Sequence, residues 1–154
     1  MKYVKHGELI SSILETFPDA VVWVDSASKI VQWNSAAERI FGFKRKDVVG
    51  RSLTQTIIPD EHRSAHMIGM ANFMKTGTGQ IFGHTVEIEA MTWSGEIIPI
   101  AISIDALMID GEQFFTSHIR ALGESRAIEY KTTPYDDFPE PVPETAPAEE
   151  PGQA

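Results

Sequence analysis

A histidine in a short amphipathic segment is the feature of this chain best suited to binding chemistry. The segment covers residues 59–77, and its imidazole belongs to His66. At a helical spacing of three or four residues, His66 shares one face with a glycine and with apolar or thioether side chains, namely Gly69, Met70, Phe73 and Met74. Strand-like runs follow, and a helix that carries an inward imidazole against a sheet can hold a ligand between the two. This arrangement is typical of a sensing module rather than of an enzyme.

Other chemistries have less support in the sequence. His62 precedes His66 by four residues, the spacing of a helical zinc pair, but the glutamate of a His-Glu-x-x-His motif is missing between them. There is no cysteine, which excludes disulfides, thiolate catalysis, cysteine-linked photochemistry and cysteine-ligated metals. The sequence contains no recognisable pair of catalytic carboxylates, no nucleophile with a base and no phosphate-binding loop. We therefore expect the protein not to be an enzyme.

Length and hydropathy limit the architecture. With 154 residues, the chain is long enough for one domain with a substantial core. No apolar run approaches the roughly 18 residues of a membrane span, and the N-terminus lacks the apolar core of a secretory signal. We therefore expect a soluble cytoplasmic protein without a membrane partner.

The C-terminal segment differs in composition from the rest of the chain. Residues 132–154 contain six acidic residues, six of the nine prolines and no lysine or arginine, and the net charge of the whole chain is −9. Such a segment cannot bury enough apolar surface to offset its ordering entropy. We predict a disordered tail (124–154) after an N-terminal helical cap (1–18) and a main domain (19–123). Because no basic stripe is present, nucleic-acid binding is not expected.

Hydrophobic periodicity predicts helices first and a strand meander last. Helices are expected over residues 8–17, 35–41 and 60–77, a single helical turn over 47–50, and strands over 20–24, 30–33, 82–93, 96–108 and 113–122. Asn34 is placed to cap the second helix and Gly42 to end it, and Asp110-Gly111 is a strong hairpin sequence. This order of elements predicts an α+β fold, in which a five-stranded antiparallel sheet carries all its helices on one face.

Short motifs in this order resemble those of the PAS sensory fold. They are Phe17-Pro18-Asp19-Ala20, Val31-Gln32-Trp33-Asn34-Ser35-Ala36-Ala37-Glu38, Phe41-Gly42-Phe43, Val48-Val49-Gly50, Thr76-Gly77, Ser94-Gly95, and Phe114-Phe115-Thr116 leading to Ile119-Arg120. The resemblance runs from about residue 8 to residue 122. It implies a domain that binds a small ligand or a partner and relays the change to an effector, although the fold alone does not specify the ligand.

The long helix resembles that of the haem-binding PAS domains of nitrogen-fixation oxygen-sensor kinases. In those domains it runs from a proline through an arginine and a histidine to a Met-x-Thr-Gly ending, and the histidine is the axial iron ligand. The matching positions are Pro59, Arg63, His66, Met74, Thr76 and Gly77. The resemblance implies haem b in an apolar slot, with His66 as the metal ligand. The cofactor contacts expected beyond the helix are Ile81, His84, Val86, Ile98, Ile100, Ile102, Ile104, Phe115 and Ser117.

The chain departs from these oxygen sensors at three positions. Val86 takes the place of the strand arginine that bonds bound oxygen and contacts a propionate, and Asn72 and Gln80 stand where further arginines would lie. His84, two positions before Val86, is a candidate distal donor or second axial ligand. Oxygen selectivity therefore does not carry over, and carbon monoxide, nitric oxide or redox sensing is equally open.

Two functional classes remain open. The first is a haem-bound sensor of a diatomic gas or of redox state. The second is a PAS interaction module that is free of cofactor or binds a small organic molecule, flavin included. By resemblance, a homodimer is expected through the N-terminal helix and the outer sheet face at Phe114 and His118. Because Arg120 and the residues after it differ from the Asp-Ile-Thr-Glu-like exit of kinase-linked PAS domains, we expect a histidine kinase or other effector to be engaged in trans, unless the chain is a fragment.

Overall fold

The computed structural model describes residues 5–79 and 81–123, so the predicted tail lies outside the described residues. The helices are α1 (His6–Thr16), α2 (Ser35–Phe41), α3 (Arg45–Val48), α4 (Leu53–Thr56) and α5 (Arg63–Thr76), and the strands are β1 (Ala20–Asp25), β2 (Ile30–Trp33), β3 (Thr85–Met91), β4 (Ile97–Ile109) and β5 (Glu112–Ala121). A 3₁₀ turn (Asp60–His62) leads directly into α5.

The five strands form one antiparallel sheet with the spatial order β2-β1-β5-β4-β3. Strand β5 lies at its centre, with Ile119 opposite Ile102 of β4 and Ser117 opposite Val22 of β1. The α+β class and the antiparallel sheet predicted from the sequence are confirmed.

The β4–β5 hairpin turns at Asp110-Gly111, where both residues have positive φ, 50° and 79°. Asp-Gly favours such a two-residue turn, because glycine has no Cβ and aspartate tolerates the left-handed region. The turn fixes the pairing register. Alternate residues such as Ile100 and Ile102 are therefore buried on the inner face of the sheet.

The core lies between the inner face of the sheet and helices α2 to α5. Its buried apolar residues include Val22, Val24, Ile30, Trp33, Phe41, Val48, Leu53, Ile57, Phe73, Ile88, Ile100, Ile102, Phe115 and Ile119. The indole N–H of Trp33 donates to the carbonyl of Phe43 at 3.1 Å, so the polar atom of this enclosed ring is satisfied. The result is a continuous apolar floor beneath α5.

Asn34 joins three elements at the N-terminal end of α2. Its Oδ1 accepts from the backbone N–H of Ala37 at 3.0 Å, which is the predicted cap, and also from that of Val21 at 2.9 Å. Its Nδ2 donates to the carbonyls of Leu14 and Asp19 at 2.9 and 3.0 Å. Because the side chain is fully buried, these four bonds replace the water that the amide loses on folding.

Helix α1 lies on the surface of the domain. None of its eleven described residues is buried, and Leu9, Ile10 and Ile13 are exposed. The carboxylate of Glu15 contacts the hydroxyl of Ser35 and lies 3.8 Å from the guanidinium of Arg45, which fixes one end of the helix. Within the part of the chain that the structure describes, no helix is long and apolar enough to cross a membrane.

Apart from shifts of one or two residues at the ends of elements, three features differ from the prediction. Residues 53–56 form α4, which no sequence pattern indicated, and the first three residues of the predicted long helix form a 3₁₀ turn. Strand β3 begins at Thr85 instead of residue 82, because Gly83 has a φ of 84° and interrupts the extended backbone.

Candidate ligand-binding site

Helix α5 covers the inner face of the sheet at its β3–β4 side. It ends at Gly77, whose φ of 68° allows its N–H to donate to the carbonyl of Phe73 at 2.7 Å. Of its fourteen residues, all described, Phe73 alone is buried, while His66 and Met70 are partly buried. The helix is therefore a lightly packed cover over the core.

His66 is hydrogen-bonded to a neighbouring helix. Its Nδ1 lies 3.0 Å from Oγ1 of Thr54 on α4, and this Oγ1 lies 3.4 Å from Oγ of Ser28. Burial lowers the pKa of His66 below the ordinary value of 6.5, because the imidazolium would lose its hydration. The imidazole is thus neutral at pH 7. When Nδ1 donates to Thr54, the lone pair is on Nε2, the arrangement that suits a metal-ligating histidine.

An enclosed cavity of about 40 Å³ lies between α4, α5 and the sheet. Its polar or charged lining residues are His66, Glu89 and Ser117. The apolar ones are Val22, Leu53, Ile57, Ile58, Ile88, Ala90, Ile100, Ile102, Ile104 and Ile119. This volume accommodates about one water molecule, which occupies about 30 Å³ in the liquid. Ligand pockets are about 300–1,000 Å³, so the site is closed in this conformation.

Three phenylalanines pack together farther along the sheet. The ring centroid of Phe73 lies 4.7 Å from that of Phe82 and 5.0 Å from that of Phe115. An open hollow of about 320 Å³ lies next to the cavity along β4. Ile104 of this strand lines the cavity, whereas Ala106, which pairs with Phe115, lines the hollow. Phe73 and Phe82 also line that hollow, so this aromatic cluster (Phe73, Phe82 and Phe115) lies where the two spaces approach each other.

The predicted site residues divide into three groups. Five line the cavity: His66, Ile100, Ile102, Ile104 and Ser117. Five belong to the core or pack against it without lining the cavity: Met70, Phe73, Val86, Ile98 and Phe115. Four lie away from the cavity lining: Gly69, Met74, Ile81 and His84.

The residues that lie away from the cavity lining do not contact the ligand space, although the sequence predicts this contact. His84 is exposed in the turn before β3, because the left-handed Gly83 redirects the chain there. The side chain of Met74 is 49% exposed. A Cβ at Gly69 would meet no atom within 4 Å, so there is space beside this residue, but it is not part of the cavity.

The sequence reasoning missed several members of the site. Thr54 is the most important, because it contacts His66 directly, and Leu53 and Glu89 also line the cavity. Helix α4 has four residues, too few for a hydrophobic period, and Ser52 at its N-terminus makes no side-chain cap. A contact between residues 54 and 66 depends on tertiary folding, so a local pattern could not reveal it.

These residues meet one requirement of haem and fail another in this conformation. A neutral imidazole in an apolar environment is an appropriate iron donor. The enclosed space, at about 40 Å³, is too small for a porphyrin. A bound haem therefore requires a different arrangement of α5 and the aromatic cluster.

Comparison with known proteins assigns the fold to a family of sensory domains. Residues 8–140 match the family model described as PAS fold. An uncharacterized protein from Azorhizobium caulinodans is 34% identical over 113 residues, which are 73% of this chain and 15% of the relative. The sensor protein FixL from Bradyrhizobium diazoefficiens is 30% identical over 115 residues, 75% of this chain and 23% of the relative. The chain thus spans less than a quarter of either relative.

The solved structures support the same architecture. The PAS domain of the RpfR quorum-sensing receptor from Cronobacter turicensis, in complex with BDSF, superposes with a TM-score of 0.55 at 17% identity. The match covers 70% of this chain and 96% of that domain. At this identity the similarity concerns the fold alone.

Proposed function

Because the chain belongs to the PAS fold family of sensory domains, we propose that its ligand-responsive site is the cavity between His66 and the sheet. The observation that carries this proposal is the neutral, partly buried imidazole held by Thr54 at a largely apolar cavity. A polar side chain in such a place is suited to orienting a ligand.

We propose haem b as the ligand and His66 as its iron ligand. The resemblance of the long helix supports this assignment, and one relative is named a sensor protein. The chemistry of the donor supports it as well, because desolvation keeps His66 unprotonated and Thr54 can fix its tautomer. Iron in a porphyrin would supply reversible binding of a diatomic gas or a change of redox state. Val86, where the related sensors have an arginine, offers no hydrogen bond, so we do not assign oxygen in preference to another gas.

Haem binding requires the cover to open. The cavity and the open hollow follow each other along β4, and Phe73 and Phe82 of the aromatic cluster line the hollow. Outward movement of α5 would carry Phe73 away from the sheet and could join the two spaces. Because Phe73 is the single buried residue of α5, displacing this helix exposes little apolar surface.

A second candidate function follows from the small volume of the cavity. A PAS domain that acts without a cofactor needs no more space than this, and another domain of the same fold was solved in complex with BDSF. In this alternative His66 is structural, or the opened cavity receives a small organic molecule.

We further propose that the chain forms a homodimer through α1 and the adjacent outer face of the sheet, and that a histidine kinase or another effector is engaged in trans. Helix α1 exposes Ile10 and Ile13, and the ring of Phe17 lies 6.2 Å from that of His118 on the outer face. Light scattering should give a dimer for the wild type and a monomer for Ile13→Glu. Ser11→Glu, which adds the same charge at an exposed polar position, should remain dimeric; a monomeric wild type would contradict the proposal.

Hemin titration followed by absorption spectroscopy distinguishes the two ligand classes. If His66 is the iron ligand, the wild type binds hemin with a Soret band characteristic of histidine ligation, and His66→Ala loses it. His62→Ala is the matched control, since it removes the imidazole one helical turn earlier, and it should retain the band. A colourless protein that does not bind added hemin would exclude the haem assignment and favour the second candidate.

A further inference from the structure

We infer that Glu61, His62 and Glu89 form a binding site for a divalent transition-metal ion, separate from the cavity ligand proposed above. Glu61 and His62 belong to the 3₁₀ turn before α5, and Glu89 belongs to β3. One ligand atom from each residue lies within 4.8 Å of the other two. The site thus brings together a helix start and a sheet edge that are far apart in the sequence.

The distances between these atoms suit a bridging ion better than direct hydrogen bonds. Nε2 of His62 lies 3.7 Å from a carboxylate oxygen of Glu61 and 3.9 Å from one of Glu89. Both distances are longer than that of an N–H···O hydrogen bond, which is about 2.7–3.2 Å. Two ligand atoms bound to one tetrahedral zinc ion through bonds of about 2.1 Å lie about 3.4 Å apart, so small side-chain adjustments would bring His62 and the two carboxylates to that spacing. The side chain of Glu61 is exposed, so its carboxylate has room to rotate toward such an ion.

The charges of the cluster also favour a cation. Two carboxylates that converge on one nitrogen repel each other, and a divalent ion between them would neutralise both. The neighbouring Arg63 is engaged elsewhere, since it lies 2.7 Å from the carboxylate of Asp60 and donates to the carbonyl of Ile58. One imidazole and two carboxylates form a donor set that suits Zn²⁺, Ni²⁺ or Mn²⁺ and is less suited to Mg²⁺.

A metal ion bound here would attach the beginning of α5 to β3. Glu89 also lines the cavity beside His66, so the ion would hold the cover closed at the edge of the ligand site. The inference does not depend on haem, because His66 directs its Nδ1 to Thr54 and is not a member of the cluster.

Isothermal titration of Zn²⁺ into the full chain tests the site. We expect one saturable site per chain in the wild type, and affinity reduced about tenfold or more in Glu89→Gln and in His62→Ala. Glu96→Gln removes one exposed carboxylate outside the cluster and should bind as the wild type does. Mg²⁺ should bind at least about tenfold more weakly than Zn²⁺.

Three results would overturn the inference. They are no saturable binding by the wild type, unchanged affinity in both cluster variants, and a loss in His66→Ala as large as in Glu89→Gln. The last result would indicate the helical pair His62 and His66 as the ligands instead. A negative hemin titration does not affect this test, so the two proposals can fail separately.

Discussion

Oγ1 of Thr54 and Nδ1 of His66 lie 3.0 Å apart, and this hydrogen bond joins the short helix α4 to the cover helix α5. Thr54 is buried and His66 faces a largely apolar cavity, so bulk water cannot easily replace either partner of this hydrogen bond. The orientation of the imidazole therefore depends on a residue twelve positions earlier in the chain.

Thr54→Val should destabilise the domain, because it keeps the shape of the side chain and leaves the imidazole nitrogen without its partner. The expected loss in the free energy of unfolding is about 1–3 kcal/mol, measured by urea denaturation at pH 8. In a His66→Phe background the same substitution should cost less, since the bond is already absent. Equal losses in the two backgrounds would contradict a direct interaction.

Acidification should reduce stability through His66. Burial lowers the pKa of His66 in the folded chain, while the unfolded chain keeps a value near 6.5. Between these two values the unfolded chain binds more protons, so the free energy of unfolding decreases as the pH falls below 6.5. Above 6.5 both forms are largely neutral and the full stability is present. Urea titrations of the wild type and His66→Gln across this range should give a shallower pH dependence for the variant; parallel curves would contradict the assignment.

Gly42→Ala should be more destabilising than Gly50→Ala, although both glycines have positive φ, 79° and 87°. A Cβ at Gly42 would lie 2.0 Å from Cδ1 of Trp93, whereas a Cβ at Gly50 would meet no atom within 4 Å. The backbone strain of about 1–2 kcal/mol is common to both variants, and the steric clash adds about 1 kcal/mol or more at Gly42. Thermal unfolding measures the difference, and Trp93→Ala should reduce it in the double variant.

Asn34→Ala should be among the most destabilising single substitutions in the described domain. It removes four buried hydrogen bonds that join α1, β1 and α2, and we expect a loss of about 3 kcal/mol or more. Arg39→Ala, at an exposed position of the same helix, should change the stability by less than about 0.5 kcal/mol. A mild effect of Asn34→Ala in urea denaturation would show that these bonds are replaced by others.

Local chemistry made much of the fold predictable. Asn34, Gly42 and Asp110-Gly111 act over a few residues, so their positions in the sequence are sufficient to indicate a cap, a helix end and a hairpin. The alternation of apolar and polar residues along β4 is likewise a local pattern, and it indicated which isoleucines would be buried. Both predictions are confirmed by the bounds of α2 and by the burial of Ile100 and Ile102.

The site was less predictable, because its properties depend on the distance between elements. Helical periodicity indicated which residues share a face of α5, but it could not give the gap between that face and the sheet. It therefore could not anticipate a cavity of only about 40 Å³, nor the role of Thr54. Glu89 follows the outward alternation of β3 in the sequence, and its approach to His62 depends on the tertiary packing of the 3₁₀ turn at the sheet edge.

The single buried side chain of α5 has a thermodynamic consequence. A segment with few buried contacts opens at a smaller free energy than the domain as a whole, and its amide protons exchange early. A ligand that requires the open form binds with an apparent affinity equal to its intrinsic affinity multiplied by the fraction of molecules that are open. The anchoring of one phenylalanine would then set the concentration at which the domain responds, and a change at position 73 would shift that threshold.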